Sequence, residues 1–324
     1  MTTDNSGKSH NSLLSNVKFD PIELEDRYVH QVYDVIASEF SSTRHSPWPS
    51  VLKFIEAQPL NSLGADVGCG NGKYLTASSK YYATMKASTS STSVQCKSIV
   101  ATSNFIPIAA MERSPKLAEI VYNRGFDVVI GDILRIPYCS ERFDFFLCIA
   151  VIHHLSTMAR RIEAVNELAR ILRVGGQGLI QVWAKEQHGI SKSEPSYYVN
   201  RKTKTMCNVD DSPESLSKIV EAVPGTYLHL HVNGTEFQNT DMLVPWKKKT
   251  HKVTDQIIIR LTIIRIILFI LESNQPLPNS MYGRYYHLFV MGELDDLISK
   301  VPVLKIDKSF YEQGNWVVHV TKIV

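Results

Sequence analysis

The sequence predicts an α/β protein in which a parallel sheet carries a ligand-binding loop at the carboxyl end of an early strand. Two stretches support this. Asp66-Val67-Gly68-Cys69-Gly70-Asn71-Gly72-Lys73 follows the apolar Leu60, Leu63 and Ala65 and precedes the helix-compatible Tyr74-Leu75-Thr76. An acid closing a short strand, then glycines at alternate positions, gives a tight turn whose backbone N–H groups can approach a ligand closely at a helix start. Phe143-Asp144-Phe145-Phe146-Leu147-Cys148-Ile149-Ala150 is almost continuously apolar, as suits a central parallel strand covered on both faces.

In a dinucleotide fingerprint the third glycine falls three places after the second, but here Lys73 holds that place and Gly72 comes one residue early. NAD is therefore the weaker reading, and a glycine-rich turn without a ligand stays open. At 324 residues with 44% hydrophobic content, the chain can bury one large core with decorations. A net charge of +3 does not by itself establish a nucleic-acid partner. Cys69, Cys96, Cys139, Cys148 and Cys207 are odd in number and form no C-x-x-C pair, which predicts a reducing compartment, the cytoplasm with the nucleus as a second location. Residues 1–18 are polar, lack the apolar core of a signal peptide and read as a disordered tail before a single domain over 19–324.

Leu24, Tyr28, Val32, Val35 and Ile36 recur at helical spacing and predict a helix over Glu23–Phe40, ending near Ser41-Ser42-Thr43-Arg44. Val51, Leu52 and Ile55 predict a second helix, stopped by Pro59. Ile106–Met111 reads as the second strand, closed by Glu112, which stands where an acid would receive ribose hydroxyls or, alternatively, simply start a helix. After a helix over Ala118–Arg124, Val128–Asp132 reads as a third strand. Asp132 can accept from an exocyclic amine or serve only as a turn residue, and Ile133 offers an apolar face to a ring. The central strand delivers Val151-Ile152-His153-His154 to the carboxyl end of the sheet, where ligands of open α/β sheets bind. Ile162, Val165, Leu168, Ala169 and Leu172 mark the buried side of a helix that begins at Arg160 and is broken by Gly175-Gly176. Gly178–Trp183 is the next strand, and Trp183 is placed either to stack on a base or to pack in the core. Val303–Ile306 and Gly314–Val320 supply two closing strands.

The loop pattern D-x-G-x-G-x-G resembles the first motif of the Rossmann-like methyltransferases that use S-adenosylmethionine. Tyr28-Val29-His30-Gln31-Val32-Tyr33, Phe40-Ser41-Ser42-Thr43-Arg44 and Trp48-Pro49 narrow the resemblance. So do Ile152-His153-His154, Trp183-Ala184-Lys185-Glu186-Gln187, Phe237–Trp246, Arg284-Tyr285-Tyr286-His287 and Gly292-Glu293-Leu294. Together they resemble the eukaryotic tRNA wobble-uridine carboxymethyl methyltransferases, including the methyltransferase domain fused to an AlkB-type hydroxylase in animals. The resemblance covers about 20–60, 63–80, 111–187, 237–247 and 282–322.

It implies a Rossmann-like, seven-stranded class I methyltransferase sheet with helices on both faces and decorating insertions. It implies methyl esterification of 5-carboxymethyluridine at the tRNA anticodon wobble position, with S-adenosyl-L-methionine as cofactor. The cofactor is expected on Asp66, Gly68, Gly70, Gly72, Lys73, Glu112, Arg113, Asp132, Ile133 and Ala150. The family shows Asp where Glu112 stands, so the longer side chain leaves the ribose register open. Catalytic roles are expected for Arg44 and Arg284 as carboxylate or phosphate holders, His153 or His154 as orienting groups, and Trp183 as a stacking wall. The implied partners are tRNA and a small zinc-binding activator subunit. No cysteine–histidine cluster of this chain suggests a metal of its own.

Two blocks depart from this pattern, about 80–105 and about 251–275, whereas about 188–234 resembles the variable polar segment that family members carry there. About 80–105 is rich in Ser, Thr and Lys and reads as an insertion. A second insertion is expected at about 251–275, where Ile257–Leu271 is too short and too interrupted by Arg260 and Arg265 to span a membrane. Lys247-Lys248-Lys249 with His251-Lys252 can meet phosphates or stand as a solvated loop. Two other function classes stay open: methylation of a small-molecule acid, which has no use for basic segments, and a non-catalytic tRNA-binding relative.

Overall fold

Two glycines and two phenylalanines show how the middle of the sheet is built. A Cβ added at Gly64 would lie 2.2 Å from the Phe145 ring, and one at Gly178 would lie 2.2 Å from Phe146. Each ring therefore lies flat over a neighbouring strand, on opposite faces, and each is fully buried. Removing either ring would cost about 3–5 kcal/mol, because so tight a site cannot collapse onto the void.

The structure is a computed structural model, and it describes residues 20–44, 46–76, 106–187, 218–233, 235–247 and 281–324. A first helical segment runs as α1 (Pro21–Glu25), a π-helical turn over Asp26–His30, and α2 (Gln31–Thr43). Asp20 caps it by accepting from the backbone N–H groups of Ile22 and Glu23. Next come α3 (Pro49–Glu56), β1 (Gly64–Val67), β2 (Ile108–Glu112), α4 (Pro115–Asn123), β3 (Val128–Ile130) and β4 (Phe143–Ile149). They are followed by α5 (Met158–Ile171), β5 (Leu172–Trp183), β6 (Lys218–Val223), β7 (Thr226–Leu230), β8 (Asp241–Lys247) and β9 (Met281–His287). The chain closes with α6 (Glu293–Ser299), β10 (Leu304–Glu312) and β11 (Asn315–Lys322).

The main sheet has seven strands in the order β10-β11-β5-β4-β1-β2-β3. Strands β3-β2-β1-β4-β5 are parallel, and β11 alone runs against its neighbours because the β10–β11 hairpin inserts its second strand beside β5. This is the Rossmann-like, seven-stranded sheet that the resemblance implies. The hydrophobic residues of α5 and α6 cover one face and those of α3 the other. From β1 the chain winds outward through β2 and β3, then returns to β4 on the other side. The crevice at the carboxyl ends of β1 and β4 is therefore the switch point at which such sheets bind ligands.

A second sheet, in the order β6-β7-β8-β9, brings Arg284 and Tyr286 of its last strand to that crevice. Ala222, Leu228, Leu243 and Tyr285 of this sheet pack on Leu24 and Val29 of the first helical segment. The segment just after its last strand is stitched to the end of β5 by backbone: Phe289 N–H donates to the Trp183 carbonyl at 3.0 Å, and Lys185 N–H donates to the Phe289 carbonyl at 2.9 Å.

Several expectations are corrected. The polar segment at about 188–234 ends in regular structure: β6 and β7 pair as a hairpin, their alternating Val220, Leu228 and Leu230 hidden in the sequence by polar flanks. The helix expected to run to Gly175-Gly176 ends at Ile171, because Leu172 already has the extended dihedrals φ −79°, ψ 134° that start β5. Val35, expected on the buried stripe, is 49% exposed; the π turn rephases the helix so that Val32, Ile36 and Ala37 face inward. The expected tail over 1–18, the insertions at about 80–105 and 251–275, and Lys248, Lys249, His251 and Lys252 lie outside the described residues.

Candidate active site

A cavity of about 590 Å³ opens at the switch point, within the ~300–1,000 Å³ typical of small-molecule sites. Fourteen of the fifteen residues expected from sequence line it, the exception being Gly72. Their charges divide it into two halves.

The acidic half is built on the loop after β1. Gly68, Gly70 and Gly72 have φ of +77°, +59° and +72°, a region that residues with a Cβ adopt at a cost. At Gly68 a Cβ would also lie 2.4 Å from Val151 Cγ2. Asp66 is 1% exposed and its Oδ2 has no hydrogen-bond partner among the described residues. Burial raises its pKa to about 7, Lys73 opposing and Glu112 adding to the shift. Glu112 accepts from the backbone N–H groups of Gly70 at 2.7 Å and of Arg113 and Ser114 at 2.9 Å each. Burial nonetheless pushes its carboxyl up to about 7. Asp132 accepts from Leu134 N–H at 2.9 Å and pairs with Arg113 Nε at 3.2 Å, beside the buried Ile133. Ala150, at the end of β4, holds φ +62°, a strained value for a residue with a side chain, at the wall between the two halves.

The basic half is roofed by α2 and the second sheet. The Arg44 guanidinium lies 5.7 Å from the Phe40 ring and 5.8 Å from the Trp246 ring; that of Arg284 lies 4.9 Å from Trp246 and 5.2 Å from Tyr286. One indole thus holds two cations by its π faces, and its Nε1–H donates to Glu39 at 3.1 Å. Lys73 is held to about 8 by burial and by the nearby Arg44, with Asp66 pulling the other way. The histidines are neutral: burial takes His153 well below the ordinary value and His154 down to about 3. Trp183 N–H donates to His153 Nδ1 at 3.0 Å, so the His153 proton resides on Nε2. The Trp183 ring already stacks on Tyr286, centroids 4.4 Å apart and planes 18° apart. Trp183 thus lines the cavity and also packs on the buried cluster of Phe237 and Tyr286, with one ring face already taken.

Sequence reasoning did not assign Glu25, Tyr33, Trp246 or Tyr286. Glu25 is 2% exposed and joins the first helix to the segment after His154 by accepting from Ser156 N–H at 2.7 Å and from Arg160 at 2.6 Å. Tyr33, Trp246 and Tyr286 stood inside the motifs and Glu25 inside the predicted first helix, but their roles depend on contacts far apart in the chain. Among the described residues no group of three His, Cys, Asp or Glu is arranged to hold a metal, and no helix is long and apolar enough to cross a membrane.

Residues 65–180 match the methyltransferase domain family. The chain is 35% identical to the mouse tRNA (carboxymethyluridine(34)-5-O)-methyltransferase ALKBH8, covering 96% of this chain and 46% of that protein. It is 33% identical to the tRNA (carboxymethyluridine(34)-5-O)-methyltransferase of Schizosaccharomyces pombe, covering 91% of this chain and 96% of that protein. The chain thus spans under half the length of the vertebrate relatives it matches and nearly all of the fission-yeast one. Among solved structures, a SAM-dependent methyltransferase from Methanosarcina mazei superposes with a TM-score of 0.47 at 12% identity, covering 86% of this chain and 99% of that one. A seven-stranded sheet with a charged crevice at its switch point and a fission-yeast relative matched nearly end to end lead to one statement: the chain belongs to the tRNA (carboxymethyluridine(34)-5-O)-methyltransferase family.

Proposed function

We propose that this protein transfers a methyl group from S-adenosylmethionine to the carboxylate of 5-carboxymethyluridine at the wobble position of tRNA, forming the methyl ester. The observation that carries the reading is the division of one cavity into an acidic half beside the glycine loop and a half bearing Arg44 and Arg284. The first suits a cationic, hydroxyl-bearing donor and the second an anionic acceptor. The donor set fits this cofactor. Asp66 Oδ2 is a buried acceptor without a donor among the described residues, suited to an ammonium, and Gly68, where a Cβ would run into Val151, keeps the loop backbone bare at the cavity wall. Glu112 keeps acceptor capacity for hydroxyls beyond the three backbone N–H groups it receives.

When bound, the cofactor supplies an electrophilic methyl group on a sulfonium. Asp66, Glu112 and Asp132 orient it from the strand ends. Arg44 and Arg284 hold the acceptor, whose carboxyl group, with a pKa near 4, is ionised at neutral pH. No proton has to leave, so the site needs no general base, and two neutral histidines agree with that requirement. His153 can donate from Nε2 but not accept there. The residues contribute alignment, which supplies roughly 7–11 kcal/mol in favourable cases.

For the zinc-binding activator subunit the supporting feature is the edge of the main sheet at β3, which pairs only with β2 among the described residues. Val129 is 41% and Ile130 is 56% exposed there, beside Tyr122 of α4 at 69%. An open apolar strand edge invites a partner strand.

Nucleoside mass spectrometry of hypomodified tRNA, incubated with the protein co-expressed with such a subunit and with methyl-labelled cofactor, tests the reading. Label in the methyl ester of 5-carboxymethyluridine is the expected result. Label absent from tRNA but present on free carboxylic acids would replace it with the small-molecule reading.

A further inference from the structure

Around His154 the position of every proton is dictated by its neighbours. His154 Nδ1 lies 2.8 Å from the Tyr285 carbonyl oxygen, which can only accept, so this nitrogen carries the proton. The imidazole is buried and neutral, which leaves Nε2 as an acceptor. Tyr33 Oη, 3.0 Å away, must donate to it. With its own proton committed, the Tyr33 oxygen receives the Tyr286 O–H at 3.4 Å. The Tyr286 oxygen in turn receives Arg284 Nη1–H at 2.8 Å, since a guanidinium has no acceptor. The order Arg284, Tyr286, Tyr33, His154, Tyr285 carbonyl therefore runs one way only.

Arg284, Tyr285 and Tyr286 belong to β9, and His154 to the short turn after β4. Tyr33 comes from α2, the helix whose last residues position Arg44. It is the residue through which α2 enters the chain of bonds. Remove its hydroxyl, and Tyr286 loses its acceptor, His154 Nε2 its donor, and the Arg284 guanidinium the fixed stop against which it is aimed.

We propose that Tyr33 is a positioning residue for the acceptor: through Tyr286 it sets the orientation in which Arg284 meets the acceptor's carboxylate, and it engages His154 as an obligate acceptor that takes no part in proton transfer. The inference rests on the reading of the acceptor as an acid held by Arg284.

Tyr33→Phe in the full chain tests it, because the ring stays and only the hydroxyl leaves. The KM for an anticodon stem-loop bearing 5-carboxymethyluridine should rise about tenfold, the effect of one lost hydrogen bond in a buried chain, while cofactor affinity by calorimetry stays within about twofold. Tyr286→Phe should give the same pattern. In an Arg284→Ala background, Tyr33→Phe should add less than about twofold, since both changes act through one group. A merely structural role would instead lower cofactor affinity and thermal midpoint and add to the loss from Arg284→Ala. Nitrogen-15 histidine spectra give a direct reading of the chain, with the His154 resonances identified by their absence in His154→Gln. The Nδ1–H tautomer, with an Nε2 resonance that moves in Tyr33→Phe, supports the inference, and the Nε2–H tautomer overturns it. Ester formation that is intact in the unaltered enzyme and unchanged in Tyr33→Phe also overturns it alone. If the unaltered enzyme makes no ester at all, the acid reading falls first and takes this inference with it.

Discussion

Asn71, between the second and third glycines of the loop, donates from Nδ2 to the backbone carbonyl of Arg44 at 3.1 Å. The same amide reaches the Ser41 carbonyl at 3.3 Å, while Arg124 ties the Asn71 carbonyl to the Ser41 hydroxyl. The loop proposed to cradle the donor therefore also holds the end of the helix that presents Arg44 to the acceptor. Asn71→Ala should weaken both together, raising the cofactor Kd and the acceptor KM by about three- to tenfold each, as expected for the loss of a buried amide's bonds. Calorimetry and steady-state kinetics check it; a change in only one constant would show that the two halves are set independently.

His153 is buried, neutral and an acceptor at Nδ1. With cofactor saturating, kcat should show no histidine limb between about pH 6 and 8, where an ordinary imidazole titrates. His153→Ala should lower kcat/KM by about tenfold, the worth of one donor, rather than the 10²–10⁴-fold of a lost base. A pH–rate profile of both proteins tests it.

Asp66 and Glu112 are both raised to about 7 in the free protein, chiefly by burial. A carboxyl whose folded pKa lies above its unfolded value contributes stability below about pH 4, and that contribution is lost as the pH rises through about 7. The ligand-free protein should thus lose stability between pH 5 and 7 from these two groups. Cofactor affinity should move oppositely, falling by up to about tenfold per pH unit below 7, because a proton on Asp66 competes with the ligand's cation. Thermal midpoints and calorimetric Kd values across that range test both slopes, and Asp66→Asn should reduce the first to the Glu112 contribution and flatten the second.

His287 lies between Asp241 Oδ1 at 3.0 Å and Glu293 Oε1 at 2.6 Å. Burial lowers its pKa, but the hydrogen bonds it donates to the two carboxylates outweigh that effect and the net shift is upward. Its stabilisation is therefore complete below about pH 6.5 and disappears as the pH rises through the elevated folded value. His287→Gln should cost about 2–4 kcal/mol at pH 6 and less at pH 9, since it unpairs two carboxylates that tie the second sheet to α6. Urea titrations at the two pH values measure the difference.

What could be read from the chain alone follows from how local each signal is. The loop at Asp66–Lys73 and the strand at Phe143–Ile149 write their structure into adjacent residues, so both the sheet and the crevice were legible. The β6–β7 hairpin was not, because its few apolar positions pack on Leu24 and Val29, nearly two hundred residues earlier in the chain. Trp246 was visible as part of a motif, but its place between Arg44 and Arg284 exists only once β8 lies beside α2. Glu112 was read as a ribose acceptor or a helix-start residue, but the three backbone N–H groups it receives form a bond pattern that no spacing rule contains.

The rings of Tyr33, Phe40, Trp48, Trp183 and Tyr286 wall the cavity. Under the proposed esterification a positive and a negative charge annihilate each other, so the transition state is less polar than the pair it comes from. Water would favour that separated pair and slow its collapse, whereas an aromatic enclosure gives it little solvation to surrender. By that logic the wall acts on rate by keeping the chamber dry, and paring back one ring to admit solvent would slow turnover even where both molecules still bind.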